Sequence, residues 1–116
     1  MTKKWIICSP VNVAEINNKD FLKINPSGKV FQCEQNGNEY LVFYKNHTYH
    51  ITGIYFQEVN EPKFSIGEIV VIKGSGKCVQ IIEIFWHYQK NEPFYFIVDN
   101  GKKSSKRYFG YEFTKQ

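Results

Sequence analysis

The sequence predicts a mainly β protein built from antiparallel sheets, with a short helix near its N-terminus. Two observations favour this fold class. Aromatic residues make up 17% of the 116 residues, and Ile and Val dominate the aliphatic ones; such side chains suit a pleated, half-buried surface. Strand-like segments are also separated at short intervals by Gly, Asn and Pro, which is typical of strands joined by tight turns.

The first half of the chain is predicted to form an opening strand, a short helix and a β-meander. An apolar run at residues 5–8 indicates the strand. Apolar residues fall loosely on a helical period over 13–24, which predicts a short helix. Turn signals at 35–38 and 45–46 divide the strand-like sequence of 29–59, so we expect two hairpins and a three-stranded meander.

The second half is predicted to contain four further strands. Three of them are expected at 69–72, 78–88 and 94–98. Asn100-Gly101 then marks a tight hairpin, because both residue types tolerate the positive φ values of a type I′ turn. A fourth strand should therefore follow at about 103–109.

The segment Asn60-Glu61-Pro62-Lys63 is the one plausible internal boundary, because proline and charge interrupt the strand pattern there. A chain of this length matches one ordinary domain. We therefore expect a single domain over 1–116, with the strand, helix and meander in 1–59 and a barrel-like half in 62–116.

The second half resembles the Src-homology-3-like small barrels, a class that includes Tudor-type domains. The resemblance is carried by five segments: Phe64 to Val70, the Gly74-Ser75-Gly76 hairpin, Ile84 to Tyr88, Phe94 to Val98, and Tyr108 to Phe113. It implies a small barrel that ends in a short helical turn, and a tendency toward binding. In size and texture the whole chain is also similar to small bacterial immunity or inhibitor proteins.

The sixteen residues 101–116 carry the chain's whole net charge of +4. Their cations are Lys102, Lys103, Lys106, Arg107 and Lys115, against the single carboxylate of Glu112. Aromatic residues are threaded through the same segment at Tyr108, Phe109, Tyr111 and Phe113. Cations beside rings indicate a binding surface. Arginine occurs once and lysine fourteen times, which argues against specific reading of nucleic-acid bases.

Catalytic, cofactor and metal sites are not predicted. The Gly-Ser-Gly-Lys string at 74–77 lacks the spacing and the helix of a phosphate-binding loop. His47 and His50 stand three apart, which places them on opposite faces of a strand. No Cys-x-x-Cys pair accompanies them. We therefore expect no enzyme activity, no cofactor and no metal ion.

The cysteines predict a cytoplasmic location. Cys8, Cys33 and Cys78 are odd in number and widely spaced, which is typical of reduced, buried thiols. The apolar run after the first lysines is too short for an export signal. No apolar stretch reaches the roughly 20 residues of a membrane helix, so no membrane partner is expected.

Two interpretations of the strand-end rings stay open: most of them close the core, or some lie exposed beside the cations. In the second case the predicted binding residues are Trp86, His87, Tyr88, Tyr95, Lys102, Lys103, Lys106, Arg107, Tyr108 and Tyr111. A protein partner ranks first, and a nucleic acid bound by stacking is the alternative. A third hypothesis is a cage for a cation formed by Trp86, Tyr88 and Tyr95.

Overall fold

The computed structural model describes residues 3–116 and places them in two compact units, Met1–Glu61 and Pro62–Gln116. Each unit holds one antiparallel sheet, so the predicted mainly β class is confirmed. The division falls inside the segment where the strand pattern is interrupted. Whether the two units make one domain stays a prediction. Within the described residues, none of the helices has the length and apolar character needed to span a membrane.

The first unit contains a five-stranded sheet and two short helices. Its strands are β1 (Lys3–Ile7), β2 (Phe31–Asn36), β3 (Glu39–Tyr44), β4 (His47–Thr52) and β5 (Gln57–Val59). They lie in the order β4-β3-β2-β1-β5. The opening strand and the three-stranded meander are therefore where the sequence predicted them, and β5 adds a strand on the far side of β1.

The single helix predicted over 13–24 is wrong, because the chain forms two one-turn helices, α1 (Pro10–Val13) and α2 (Lys19–Leu22). Asn18 explains the break. Its backbone is extended, with φ −148°, and its side-chain oxygen accepts a hydrogen bond from the Phe21 amide at 3.0 Å. An asparagine in this role begins a helix, so it cannot continue one.

The second unit contains a six-stranded sheet. Its elements are β6 (Ile69–Ile72), β7 (Cys78–His87), β8 (Glu92–Asp99), β9 (Lys102–Lys103), β10 (Tyr108–Phe109), a 3₁₀ turn (Gly110–Glu112) and β11 (Phe113–Lys115). The main order is β10-β8-β7-β6-β11, and β9 also pairs with β8. The first and last strands of this unit are thus hydrogen-bonded to each other.

The hairpin at Asn100-Gly101 is confirmed, with φ values of 54° and 81°. The continuous strand predicted over 103–109 is wrong, because only its two ends pair with β8. Between them the Ser104 hydroxyl accepts a hydrogen bond from the Lys106 amide at 3.2 Å. This local turn competes with the strand ladder and interrupts it.

A bulge in β7 decides which side chains of the second unit face inward. The register with β8 shifts between Ile81 and Glu83. Ile81 is buried before the shift and Ile84 and Trp86 are buried after it, while Ile82 is only half-buried. A regular alternation along β7 would place Ile82 on one face with Ile84 and Trp86. One extra residue moves it off that face, because strand side chains alternate with a period of two.

Candidate docking surface

Three neighbouring strands of the second unit each carry one phenylalanine at the same level. Phe85 of β7 lies opposite Phe94 of β8, and Phe94 lies opposite Phe109 of β10. Residues directly opposite each other in a ladder share a face of the sheet. The Phe85 and Phe94 rings stack with centroids 5.6 Å apart, and Phe94 and Phe109 are 6.3 Å apart. This row lies on the face opposite the buried Ile84.

Further rings extend the row. Phe96 packs edge-on against Phe94 at 5.7 Å, His87 lies 5.6 Å from Phe109, and Tyr111 stacks on Phe109 at 6.0 Å with an interplanar angle of 2°. Tyr111 is 64% exposed. We call this surface the ring face and define it by Phe85, His87, Phe94, Phe96, Phe109 and Tyr111, with Lys90 and Arg107 above the rings.

Two cations lie over the ring face. Lys90 Nζ is 4.2 Å from the Phe109 centroid, and Arg107 Cζ is 5.0 Å from the Phe94 centroid. Both distances are within the range of cation–π attraction. In the part of the chain that the structure describes, neither cation forms an ion pair with a carboxylate. Among the described residues, therefore, neither positive charge has a carboxylate within ion-pair distance.

Glu112 positions the last part of this surface. Its Oε2 accepts a hydrogen bond from the Phe109 amide at 2.8 Å, and its Oε1 lies 3.9 Å from Lys106 Nζ. Its backbone carbonyl accepts from the Lys73 amide at 2.9 Å, which ties the 3₁₀ turn to the end of β6. Because Tyr111 belongs to that turn, these bonds hold its ring against Phe109.

One ring nitrogen of His87 is hydrogen-bonded within the turn that follows β7. Its Nδ1 accepts a hydrogen bond from the Lys90 amide at 3.1 Å. A neutral imidazole that accepts at Nδ1 carries its proton at Nε2. The ring therefore offers a donor beside Phe94 and Phe109. Glu92 pairs with His87 and Glu83 pairs with Phe96 across the strands, so two carboxylates lie on the same face of the sheet as the cations.

Two of the predicted binding residues are buried, which corrects the expectation that they are accessible. Trp86 is 7% exposed and Tyr95 is 0% exposed. Tyr95 packs against Phe64 and Phe113 on the inner face, and burial raises the pKa of its hydroxyl. The cation cage proposed from Trp86, Tyr88 and Tyr95 therefore has two of its three rings inside the core.

The other predicted residues are divided between several places. Tyr108 lies on the inner face against Phe113, at 5.3 Å, with Lys106 Nζ 4.6 Å from its ring. Lys102 and Lys103 pair with Asp99 and Val98, so at about 3.3 Å per residue they lie roughly 13–16 Å along β8 from Phe94. Tyr88 is exposed just beyond the end of β7.

The ring face thus contains only His87, Arg107 and Tyr111 of the predicted set. The predicted set lacked the other five residues of the ring face: Phe85, Lys90, Phe94, Phe96 and Phe109. The short turn between β7 and β8 could have indicated that Phe85 and Phe94 are paired. Nothing local indicates that Phe109 joins them, because that depends on how β10 returns to β8.

The first unit holds a groove at the edge of its sheet. It is lined by Asn18, Asp20, Lys23, Ile24, His47, Thr48, Tyr49 and His50. The two histidines have separate partners there: His50 Nε2 lies 3.5 Å from Glu39 Oε1, and the His47 ring contacts Tyr49. Across residues 3–116, no three side chains of His, Cys, Asp or Glu are grouped so that they could hold a metal ion.

The three cysteines are unpaired, and they differ in environment. Cys8 and Cys33 are buried, and burial raises the pKa of each thiol to about 11. Cys78 is exposed, which corrects the prediction of three buried thiols. Its position at the first residue of β7 places it away from the ring face.

Comparison with known proteins gives a family. The model of a family of unknown function, DUF6960, matches residues 5–114, so the chain belongs to that family. No curated protein and no solved structure matches the chain.

Proposed function

We propose that this DUF6960 protein is a non-enzymatic binding protein. Its macromolecular partner docks on the ring face and is itself a protein. The observation that carries the proposal is the combination of an exposed Tyr111, stacked on Phe109, with two cations over packed rings that form no ion pair among the described residues. Aromatic residues and arginine are the side chains that most often anchor protein interfaces. The cations lie over rings, an arrangement suited to binding and not to proton transfer.

A protein partner is favoured over a nucleic acid because the rings are already covered. Arg107 lies over Phe94 and Lys90 lies over Phe109, and Phe94 is only 8% exposed. Stacking of bases needs a free ring face. Tyr111 is exposed, whereas Phe85, Phe96 and Phe109 are half-buried, and one exposed ring suits a single anchoring contact better than a row of stacked bases.

Within protein binding, we propose an immunity-like or inhibitor-like role, in which the chain blocks a toxin or enzyme by occupying its surface. The small size of the chain and its rigidly supported aromatic surface support this role. A cytoplasmic location is proposed with it, supported by three cysteines that form no disulfide. Fractionation of the native host, with an antibody against the chain, tests the location.

We also propose that the second unit is a Src-homology-3-like barrel. Its support is the order of elements: a long central hairpin of β7 and β8, a 3₁₀ turn, and a last strand, β11, that pairs with the first, β6. An experimental structure of the full chain tests this, and a sheet that stays open between β6 and β11 would contradict it.

The docking proposal is tested by charge reversal on the ring face. The double variant Lys90→Glu/Arg107→Glu is compared with Lys73→Glu/Lys115→Glu, which changes the net charge equally at exposed positions of the same unit. Each immobilised chain is incubated with extract from the native host, and retained proteins are identified by mass spectrometry. We expect wild type and the control to retain a protein that the ring-face variant loses.

Equal retention by all three chains would contradict the docking proposal. The nucleic-acid alternative is favoured by the charge of the C-terminal segment, where Lys102 and Lys103 are exposed. It predicts a gel shift with single-stranded or duplex oligonucleotides that weakens steeply with salt, because phosphate contacts release counterions. A robust shift that the ring-face variant abolishes would replace the protein partner with a nucleic acid.

A further inference from the structure

Arg107 has a distinct place on the ring face. It is the one arginine of the chain, and its guanidinium lies over the Phe94 ring at the centre of the packed rings. A guanidinium that lies over a ring keeps its N–H donors, which radiate in its own plane as a rigid fork. Such a fork matches the two oxygens of a carboxylate.

Two further groups lie beside this fork. Lys90 is over Phe109, whose centroid is 6.3 Å from that of Phe94, and the His87 ring contacts both phenylalanines. A lysine, an arginine and an imidazole N–H are therefore held around one pair of rings. Holding the cations over rings lowers the entropy that a ligand must remove from them.

Two carboxylates, those of Glu83 and Glu92, share this face of the sheet with the fork. Glu92 lies on the same face, yet among residues 3–116 it is not ion-paired with Lys90 or Arg107. By contrast, Lys106 and Lys77 have carboxylate neighbours in Glu112 and Asp99. The cations of the ring face thus differ from Lys77 and Lys106, because no carboxylate lies within ion-pair distance of them among the described residues.

We propose, on the basis of the proposed function, that Arg107 binds the carboxylate of an Asp or Glu side chain on the partner protein. Lys90 and His87 lie beside it. The partner is therefore a protein with an acidic residue at the centre of its docking surface. An apolar or aromatic group next to that residue packs on Tyr111, the exposed ring at the rim. Charge complementarity and the fork shape together carry this inference.

The test uses the full chain, labelled with ¹⁵N, and three probes. They are a short blocked peptide of alternating Glu and Gly, the same peptide with Gln in place of Glu, and a short oligothymidylate. Amide signals are followed during titration. We expect the Glu peptide to shift the signals of Lys90, Arg107 and Phe109 in a saturable way, and the Gln peptide to leave them in place.

Variants separate the fork from simple charge. Arg107→Lys keeps the charge and loses the bidentate geometry, so we expect about a tenfold loss of affinity for the Glu peptide. Lys115→Gln removes one exposed charge elsewhere in the unit and should change the affinity little. Unchanged binding by Arg107→Lys, or no shift with the Glu peptide, would overturn the inference. Tighter binding of the oligothymidylate at the same residues would overturn it in favour of a phosphate ligand.

Failure of this inference can be distinguished from failure of the proposed function. Tyr111→Ala removes an exposed ring without touching the cations, and it is assayed for capture of the host protein beside Arg107→Lys. If Tyr111→Ala loses the partner while Arg107→Lys retains it, the ring face docks a protein, and the inference that Arg107 binds a carboxylate of that protein is wrong. If both variants retain the partner, the proposed function itself fails.

Discussion

The two units use similar residues in different ways. In the first unit, Phe21 is the centre of a cluster in which it contacts Phe31, Tyr49 and Phe56 at centroid distances of 5.4–6.2 Å. Trp5 and Phe43 lie on the other face of the sheet, both opposite Gln32. In the second unit, the rings divide between the two faces of one sheet. Phe64, Tyr95 and Phe113 fill the inner face, while Phe94, Phe96 and Phe109 form the outer one.

This difference shows that aromatic content does not by itself locate a binding surface. Both units are rich in rings, and in both the rings contact one another. The second unit differs because its register places a full row of phenylalanines on the outer face and covers it with cations. A cluster of rings becomes a candidate site only when the side of the sheet it occupies is known.

The largest effect is expected when the central ring of a buried cluster is removed from either unit. Phe21→Ala should destabilise the first unit by about 3–5 kcal/mol, because the residue is fully buried and its neighbours cannot fill the space. Phe113→Ala is the matched change in the second unit. Urea denaturation measures the loss, and amide hydrogen exchange shows which sheet loses protection.

The same experiment tests the prediction of a single domain. One domain requires that both variants shift a single common transition. Two separate transitions, each moved by only one variant, would show that the units fold independently and that the single-domain prediction is wrong.

The cysteine thiols of the two units should differ in their reactivity toward a disulfide reagent. At pH 8 Cys8 and Cys33, with pKa values of about 11, should carry about one-hundredth of the thiolate of an ordinary cysteine. A disulfide reagent should therefore label one thiol, Cys78, in the folded chain and three in denaturant. Cys78→Ser should abolish the rapid labelling. Fast reaction of more than one thiol in the folded chain would contradict the buried positions.

The raised thiol pKa values also have a consequence for stability. Below pH 9 these thiols are protonated in both the folded and the unfolded chain. Above pH 9 they ionise more readily when unfolded, so the unfolded chain binds fewer protons and stability should fall as pH rises toward 11. Replacing Cys8 and Cys33 by Ala should flatten this part of the pH profile, measured by urea denaturation.

A smaller effect is expected at Glu112, which supports the ring face. Glu112→Ala removes the acceptor of the Phe109 amide and should cost about 1 kcal/mol, since the side chain is partly exposed. Glu112→Gln keeps an acceptor oxygen and should cost less. Exchange of the Phe109 amide should speed up in the Ala variant and much less in the Gln variant. Equal exchange rates of the Phe109 amide in the Ala and Gln variants would show that other contacts hold the 3₁₀ turn.

The smallest effect on stability is expected at Tyr111. Because its ring is mostly exposed, Tyr111→Ala should change the free energy of unfolding by less than about 0.5 kcal/mol. Tyr111→Ala would then abolish partner binding at little cost in stability, whereas Phe21→Ala in the first unit would cost several kcal/mol of stability. A loss of several kcal/mol would place Tyr111 in the core and remove it from the proposed surface.

Most strands could be predicted from sequence because their signals are local. The turns at 35–38, 45–46 and Asn100-Gly101 contain residues that accept turn geometry, and the strands between them follow. The two wrong elements, the helix at 13–24 and the strand at 103–109, failed for a common reason. In both, a polar side chain, Asn18 or Ser104, bonds to a nearby backbone amide and interrupts the pattern.

The site was less predictable than the fold. The basic segment and the strand-end rings pointed to the second unit, and Arg107, His87 and Tyr111 do lie on its ring face. Trp86 and Tyr95 lie in the core, because the bulge near Ile82 and the pairing of β8 with β7 determine which face of the sheet each side chain occupies. Lys90 was missed because nothing in its turn shows that Phe109 lies beside it.

The sequence alone determined the antiparallel strands, most of the turns and the concentration of positive charge in residues 101–116, because each of these depends on neighbouring residues. Only the tertiary structure decided which rings face outward and which cations lie over them. Strand side chains alternate, so one bulge or one change of pairing moves a residue to the opposite face. Those choices are made by strands distant in sequence, and they separate the buried Tyr95 from the outer Phe94 next to it.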